Sequence, residues 1–189
     1  MPTLVLSTAL ALAGSLGLSA QPRSPQAGDP APAIRATLLE KPSQRLSLEA
    51  LKGQLIVLDF WASWCGPCLN SFPHMNALAR EFRGQGVAFI SITHEPASAV
   101  RPVLRKHRLE TTVALDDACA TFRAYQAWGL PRVVLIGGDG RVKSLIAPES
   151  LTAAVIRKAL AGGTLDLPQI PPWPDPAGAE EFMCGAAAR

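Results

Sequence analysis

The sequence predicts an α/β fold: a central mixed sheet flanked by helices, with an N-terminal β-hairpin as an extension. Three observations lead there. Short apolar runs, "QLIVLDF" (54–60), "VAFISI" (87–92) and "RVVLI" (132–136), have the continuous character of strands buried on both faces. Segments of helical spacing lie between them, the alternation that builds parallel strands. The last run meets "GGDG" (137–140) and then "RVKSLI" (141–146), a hairpin signal that adds an antiparallel edge.

The elements follow in order. Two short apolar segments, residues 34–38 and 45–48, form the hairpin. "SLEALKG" (47–53) reads as one helical turn closed by Gly53, and residues 54–60 as the first buried strand. The next helix places Phe72, Met75, Leu78, Ala79 and Phe82 on one face and stops at Gly84 and Gly86. Residues 87–92 are a strand, 96–107 a helix, and 111–115 a short strand. Residues 117–127 are a helix with an Asp near its start. Residues 148–160 are expected to form the final helix, with Gly162 after it.

With 189 residues the chain suggests one domain plus ends. Residues 1–20, apolar and small up to Leu18-Ser19-Ala20, read as a signal peptide. An uncleaved membrane anchor is the rival, weakened by Gly14 and Gly17 and by a barely sufficient length. Residues 21–33 are a Pro-rich lead-in, 34–162 the domain, and 163–189 a Pro-rich tail. Export sets the cysteines in an oxidising compartment. The net charge is +3 with scattered Lys and Arg, so no nucleic-acid partner is expected.

The chemistry centres on Cys65 and Cys68, spaced C-x-x-C just past the end of a strand and at the first turn of a helix. Open α/β sheets put their sites there. A helix N-terminus carries partial positive charge and free N–H groups, which favour a thiolate. Cys65 is expected exposed at the helix mouth, with Cys68 one turn deeper. A disulfide attacked by Cys65 gives a mixed disulfide, which Cys68 resolves. A zinc site needs four ligands, and Cys119, Cys184, His74, His94 and His107 show no ligand spacing. A purely structural disulfide across so short a loop would stabilise little. No metal and no cofactor are expected.

"VLDFWASWCGPC" resembles the active-site segment of the thioredoxin superfamily. "GDPAPA", "LKGQLIVLDFWASWC" and "GLPRVVLIGGDGRV" resemble its TlpA/ResA-like branch of extracytoplasmic thiol-disulfide oxidoreductases, over roughly residues 28–162. The resemblance implies a thioredoxin-like fold, Cys65 as the attacking cysteine and Cys68 as the resolving one. It implies that Trp64 flanks the site and that Pro73 kinks the helix. It also implies that Pro131 is a cis-proline facing the disulfide and that Leu130 offers its backbone to the substrate. Three positions depart from the branch: Ser71 stands where a Glu is common, Asp59 where Asn is common, and Arg132 where Thr follows the cis-proline. Asp59, at the end of an apolar strand, is expected buried, with a raised pKa and a role as proton acceptor for Cys68. Arg132 either tunes the thiolate, favours acidic targets or points to solvent.

Other residues carry plainer expectations. His94 and Glu95 either shape the target groove or sit in a solvated loop, and Tyr125 and Trp128 pack. Cys119 and Cys184 either pair, as export favours, or are a buried small hydrophobe and a tail thiol. The "PQIPPWPDP" stretch (168–176) is PPII-like, with Trp173 packing on the domain or on a partner. The function implied is thiol-disulfide exchange with exported protein thiols, as a reductant and in the setting of cytochrome c maturation. Its partners are protein thiols or disulfides and an upstream electron-donor protein, with a membrane involved only if the N-terminal segment stays uncleaved. The alternative is a non-catalytic binding or copper-handling module, for which His74 and His94 are the candidates.

Overall fold

A computed structural model describes residues 23–185. The signal-peptide expectation for residues 1–20 lies outside them. One sheet of seven strands forms the frame, in the order β2-β1-β5-β4-β3-β6-β7. The strands are β1 (Ala36–Leu38), β2 (Arg45–Leu46), β3 (Leu55–Phe60), β4 (Val87–Thr93), β5 (Thr112–Asp116), β6 (Arg132–Ile136) and β7 (Val142–Ile146). β3, β4 and β5 are parallel, and β6 and β7 continue the sheet antiparallel from β3. The expected hairpin β1–β2 adds the other edge, pairing antiparallel with β5.

Every residue of β3 and of β6 is buried, as continuous apolar runs require when both faces are covered. The pleat sends Leu55 and Val57 to one face and Ile56, Leu58 and Phe60 to the other. The first face packs against α1 (Gly66–Glu81) through Met75 and Leu78, against Phe82 just past its end, and against α4 (Ala153–Leu160) through Ile156. The second holds α3 (Ala120–Tyr125), where Phe60 meets Phe122 edge-on at 5.1 Å. Losing a fully buried ring such as Phe60 costs about 3–5 kcal/mol. α2 (Ala97–Lys106) closes the site end through Val100, in one cluster with Trp61 and Phe72.

Three elements differ from expectation. Residues 148–160 are not one helix: a 3-10 turn, Pro148–Ser150, ends at extended Leu151, and Thr152 caps α4 by accepting from the Val155 N–H. Leu151 is fully buried in this extended conformation, and the helix begins only after it. Residues 117–119 are a 3-10 turn before α3, whose Thr121 and Phe122 N–H groups donate to Asp116 at 2.9 and 2.8 Å. The Pro-rich tail carries a helix, α5 (Pro176–Cys184), capped by Asp175. Cys119 and Cys184 are joined by a disulfide with Cα atoms 5.8 Å apart, so the open question of their pairing is settled in favour of the bond.

Candidate active site

The loops that carry chemistry meet at one end of the sheet. Phe60, the last residue of β3, pairs with Arg132, the first of the antiparallel β6. The segment leading into α1 therefore leaves the sheet beside the segment holding Pro131. The Leu130–Pro131 peptide is cis, as the resemblance implied. Trp61 continues the ladder by donating to Ile92 at 3.1 Å, and its buried ring stands edge-on to Phe72 at 5.2 Å.

Cys65 is the N-cap of α1 and Cys68 lies in its first turn. They form a disulfide with Cα atoms 5.3 Å apart. The Cys68 N–H donates to Cys65 Sγ at 3.3 Å, so a helix-start N–H that would lack a partner serves the sulfur. Pro67 sits where the helix start spares an N–H. A methyl group placed on Gly66 would meet nothing within 4 Å, so the turn between the two cysteines faces open space at that residue. Pro73 lies inside the continuous α1, and Ser71 donates to Cys68 O at 2.7 Å.

The expected exposure of Cys65 needs correction. Cys65 is 5 % exposed and Cys68 1 %, because both pack among Trp61, Ala62, Phe72 and Leu130. Cys65 remains the more accessible of the two. Trp64 is 55 % exposed, and it lines a cavity of about 490 Å³ with Trp128, Leu130, Trp173 and Phe182.

Asp59 is buried on β3, in register with Ser91 of β4. Ser91 Oγ donates to Asp59 Oδ2 at 3.1 Å and lies 2.8 Å from Thr111 Oγ1, while Asp59 Oδ1 has no partner. Desolvation pushes the Asp59 carboxyl up to about 7, against the opposing pull of the Ser91 hydroxyl. Thr111 is half-buried, so hydroxyls link the carboxyl to the edge of solvent. Such an acid holds or releases a proton near neutral pH.

Arg132 does not point to solvent. It is 1 % exposed, because β6 has no solvent face. Its guanidinium donates to Gln126 O at 3.1 Å and to Pro171 O at 3.4 Å, and burial lowers its pKa to about 10. By the pleat it shares a face with Val134 and Ile136, opposite to Asp59.

The solvated-loop expectation for Glu95 also gives way. Its carboxylate accepts from the Ser63 N–H at 2.5 Å and the Ser63 hydroxyl at 2.6 Å, fixing the segment just before Trp64 and Cys65. Position after a strand on the site side was the only sequence signal for this. His94 stands edge-on to Phe122 at 5.0 Å, and burial holds its pKa below the ordinary range. His74 Nε2 bonds Leu151 O at 2.7 Å on the α1 side. The two histidines thus lie on opposite faces of the sheet and form no joint ligand set. Among the described residues, no group of three or more His, Cys, Asp or Glu is placed to hold a metal ion, and no helix is long and apolar enough to cross a membrane.

Comparison with known proteins agrees with this geometry. The family model described as Redoxin matches residues 26–160. The thiol-disulfide oxidoreductase ResA of a Bacillus cereus strain is 32 % identical over 147 residues, covering 77 % of this chain and 84 % of that protein. The ResA of Bacillus anthracis is 33 % identical over the same length and coverage. A crystal structure from Chlorobium tepidum, provisionally identified there as the thiol:disulfide interchange protein DsbE, superposes with a TM-score of 0.60 at 31 % identity, covering 66 % of this chain and 86 % of that one. A secreted disulfide oxidoreductase of Mycobacterium tuberculosis, homologous to DsbE of E. coli, shares the fold, with a TM-score of 0.54 at 22 % identity over 68 % of this chain and 95 % of that one.

Proposed function

The chain belongs to the Redoxin family, and from that premise we propose that it is a thiol-disulfide oxidoreductase that passes two electrons from Cys65 and Cys68 to disulfides of exported proteins. The carrying observation is the Cys65–Cys68 pair at the N-terminus of α1, packed beside Leu130 of the cis-proline loop, with Cys65 the more accessible of the two.

The cycle follows from the site. In the reduced protein the helix N-terminus favours the Cys65 thiolate, which attacks one sulfur of a target disulfide. A Cys65–target bond forms, the target bond breaks, and the other target sulfur leaves as thiolate. Leu130 offers its backbone and Trp64 its ring to the target segment, and Pro131 holds that loop against the cysteines. Cys68 then loses its proton to Asp59 and attacks Cys65 Sγ. The second target thiolate leaves, and the Cys65–Cys68 bond closes. The proton on Asp59 passes out through Ser91 and Thr111. An upstream dithiol protein restores the reduced pair. The site acts in an extracytoplasmic compartment, on thiols of the kind that cytochrome c maturation requires reduced; the ResA-like relatives and the C-G-P-C sequence support this.

The test is insulin-disulfide reduction with a dithiol as electron source. The wild-type protein should accelerate it and the Cys65→Ser, Cys68→Ser double variant should not. No acceleration by the wild type would overturn the assignment. Equilibration against glutathione mixtures tests direction: a potential nearer about −270 mV than about −120 mV fits a reductant, and the reverse contradicts it.

A further inference from the structure

The tail is not a loose appendage, although nothing in the thiol chemistry requires it. It runs along the outer edge of β7, where the Ile170 N–H donates to Leu145 O at 2.9 Å and Gln169 Oε1 accepts from the Leu145 N–H at 2.8 Å. Arg132 then holds Pro171 O. Trp173 lies over Gly129, where a methyl group would stand 3.1 Å from the ring. A side chain at Gly129 would force that ring to shift by a few tenths of an ångström. α5 follows, held by Arg123–Glu180 at 2.5 Å, by buried Met183, and by the buried Cys119–Cys184 bond.

The path brings three exposed aromatic rings together. Trp64 is 55 % exposed, Trp173 44 % and Phe182 73 %, and the Phe182 ring stands edge-on to Trp64 at 6.0 Å. Among the described residues the other exposed large hydrophobic is Leu160 on α4, so this is where exposed aromatic surface gathers. Such a patch marks an interaction site. It is continuous with the reactive centre, since Trp64 precedes Cys65 and Leu130 precedes Pro131 in the chain, and Trp64, Leu130, Trp173 and Phe182 all line the same cavity of about 490 Å³. The volume suits side chains of a bound segment. Asp175, whose carboxylate caps α5, also lines the cavity and disfavours a second negative charge.

We propose that residues 171–184, fixed by the Cys119–Cys184 bond, are the second wall of the target groove, and that the groove takes a large apolar side chain next to the target's cysteine. The inference rests on the oxidoreductase assignment and adds the class of target segment. The occupant is an extended stretch of a substrate protein with Phe, Leu or a similar residue beside its disulfide-bonded cysteine. Trp173 and Phe182 are specificity residues; they touch the neighbouring side chain and not the sulfurs. Because Cys119 and Cys184 are both buried, the staple is a fixed part of the wall and not a second exchange site.

The experiment uses the full chain, with Cys65 and Cys68 reduced and the Cys119–Cys184 bond verified intact by peptide mapping. Peptides differ in one residue beside a single cysteine, Phe, Ala or Glu, and hold that cysteine as a mixed disulfide with thionitrobenzoate. Release of the coloured thiolate gives each second-order rate constant, normalised to the same peptide's rate with dithiothreitol. The expected order is Phe over Ala by about tenfold, with Glu below Ala. Trp173→Ala and Phe182→Ala, at exposed positions, should each bring the Phe-to-Ala ratio to about threefold or less. A ratio near one in the parent protein, or a tenfold ratio that survives both substitutions, overturns the inference and leaves the oxidoreductase assignment standing. Failure of the parent to exchange with any of the peptides overturns the assignment itself, and the inference with it.

Discussion

Replacing Asp59 by Asn should make the protein more stable at high pH and leave it unchanged at low pH. In the native state burial pushes the Asp59 carboxyl up to about 7, whereas an unfolded Asp titrates near about 3.9. Between those values the folded protein holds a proton that the unfolded chain has lost. Stability therefore falls as pH rises through that window and levels off above it. The difference is roughly 3 pKa units, and at about 1.36 kcal/mol per unit the penalty has a ceiling on the order of 4 kcal/mol. Asn keeps an acceptor for Ser91 and carries no charge, so the Asp59→Asn protein escapes that penalty. Urea midpoints of the fully oxidised proteins, measured from pH 4 to pH 9, give the assay. With a slope of about 2 kcal/mol/M, the two midpoints should lie within about 0.3 M of each other at pH 4 and separate by up to about 2 M at pH 9, the variant higher. Other buried acids such as Asp116 are common to both proteins and cancel in the difference. Single-turnover release of a mixed disulfide should slow in the same variant. Parallel midpoints across the range, with release at the parent rate, would refute the role of Asp59 as a buried proton acceptor.

Three further outcomes are expected. Ser91→Ala removes the hydroxyl that opposes desolvation, so the Asp59 carboxyl should titrate still higher; a carbon-detected NMR titration that moves down or stays put would contradict this. Glu95→Ala strips the Ser63 N–H and hydroxyl of their acceptor; it should cost about 1–3 kcal/mol in urea unfolding and slow insulin reduction by about tenfold, and two unchanged values would show that the segment before Cys65 is fixed by other means. Removing both Cys119 and Cys184 opens a bond between residues 65 apart; a loss of about 4 kcal/mol is expected from chain entropy, and a urea midpoint within experimental error of the parent would contradict it.

Much of the frame was legible in the sequence because its signals are local. The runs at β3, β4 and β6 are continuous and apolar, and they are buried on both faces except for the half-buried Val87 and Ala88 at the start of β4. Phe72, Met75, Leu78 and Phe82 repeat at helical spacing and face inward as expected. Cys65 and Cys68 stood out for the same reason, since strand, C-x-x-C and helix start are contiguous. What escaped depends on contacts between distant residues. Glu95 reaches Ser63 across 32 positions, and no spacing announces that bond. Arg132 looked solvent-facing because a charge usually is, but a strand covered on both sides has no solvent face to offer. Its carbonyl partners come from Gln126 and from the tail. The exposure expected of Cys65 overlooked the packing of Leu130 from the cis-proline loop. α5 did carry a local signal: Asp175 and Pro176 form an N-cap and first-turn pair, hidden within a run of prolines that reads as extended.

The central claim is that Cys65 attacks and Cys68 resolves. Its most direct measurement is trapping, using an oxidised single-disulfide peptide and mass spectrometry to locate the adduct. With Cys68→Ser, the account predicts a stable mixed disulfide on Cys65; with Cys65→Ser, it predicts no adduct and no turnover. An adduct on Cys68 in the Cys65→Ser protein, or turnover that persists without Cys65, would contradict it.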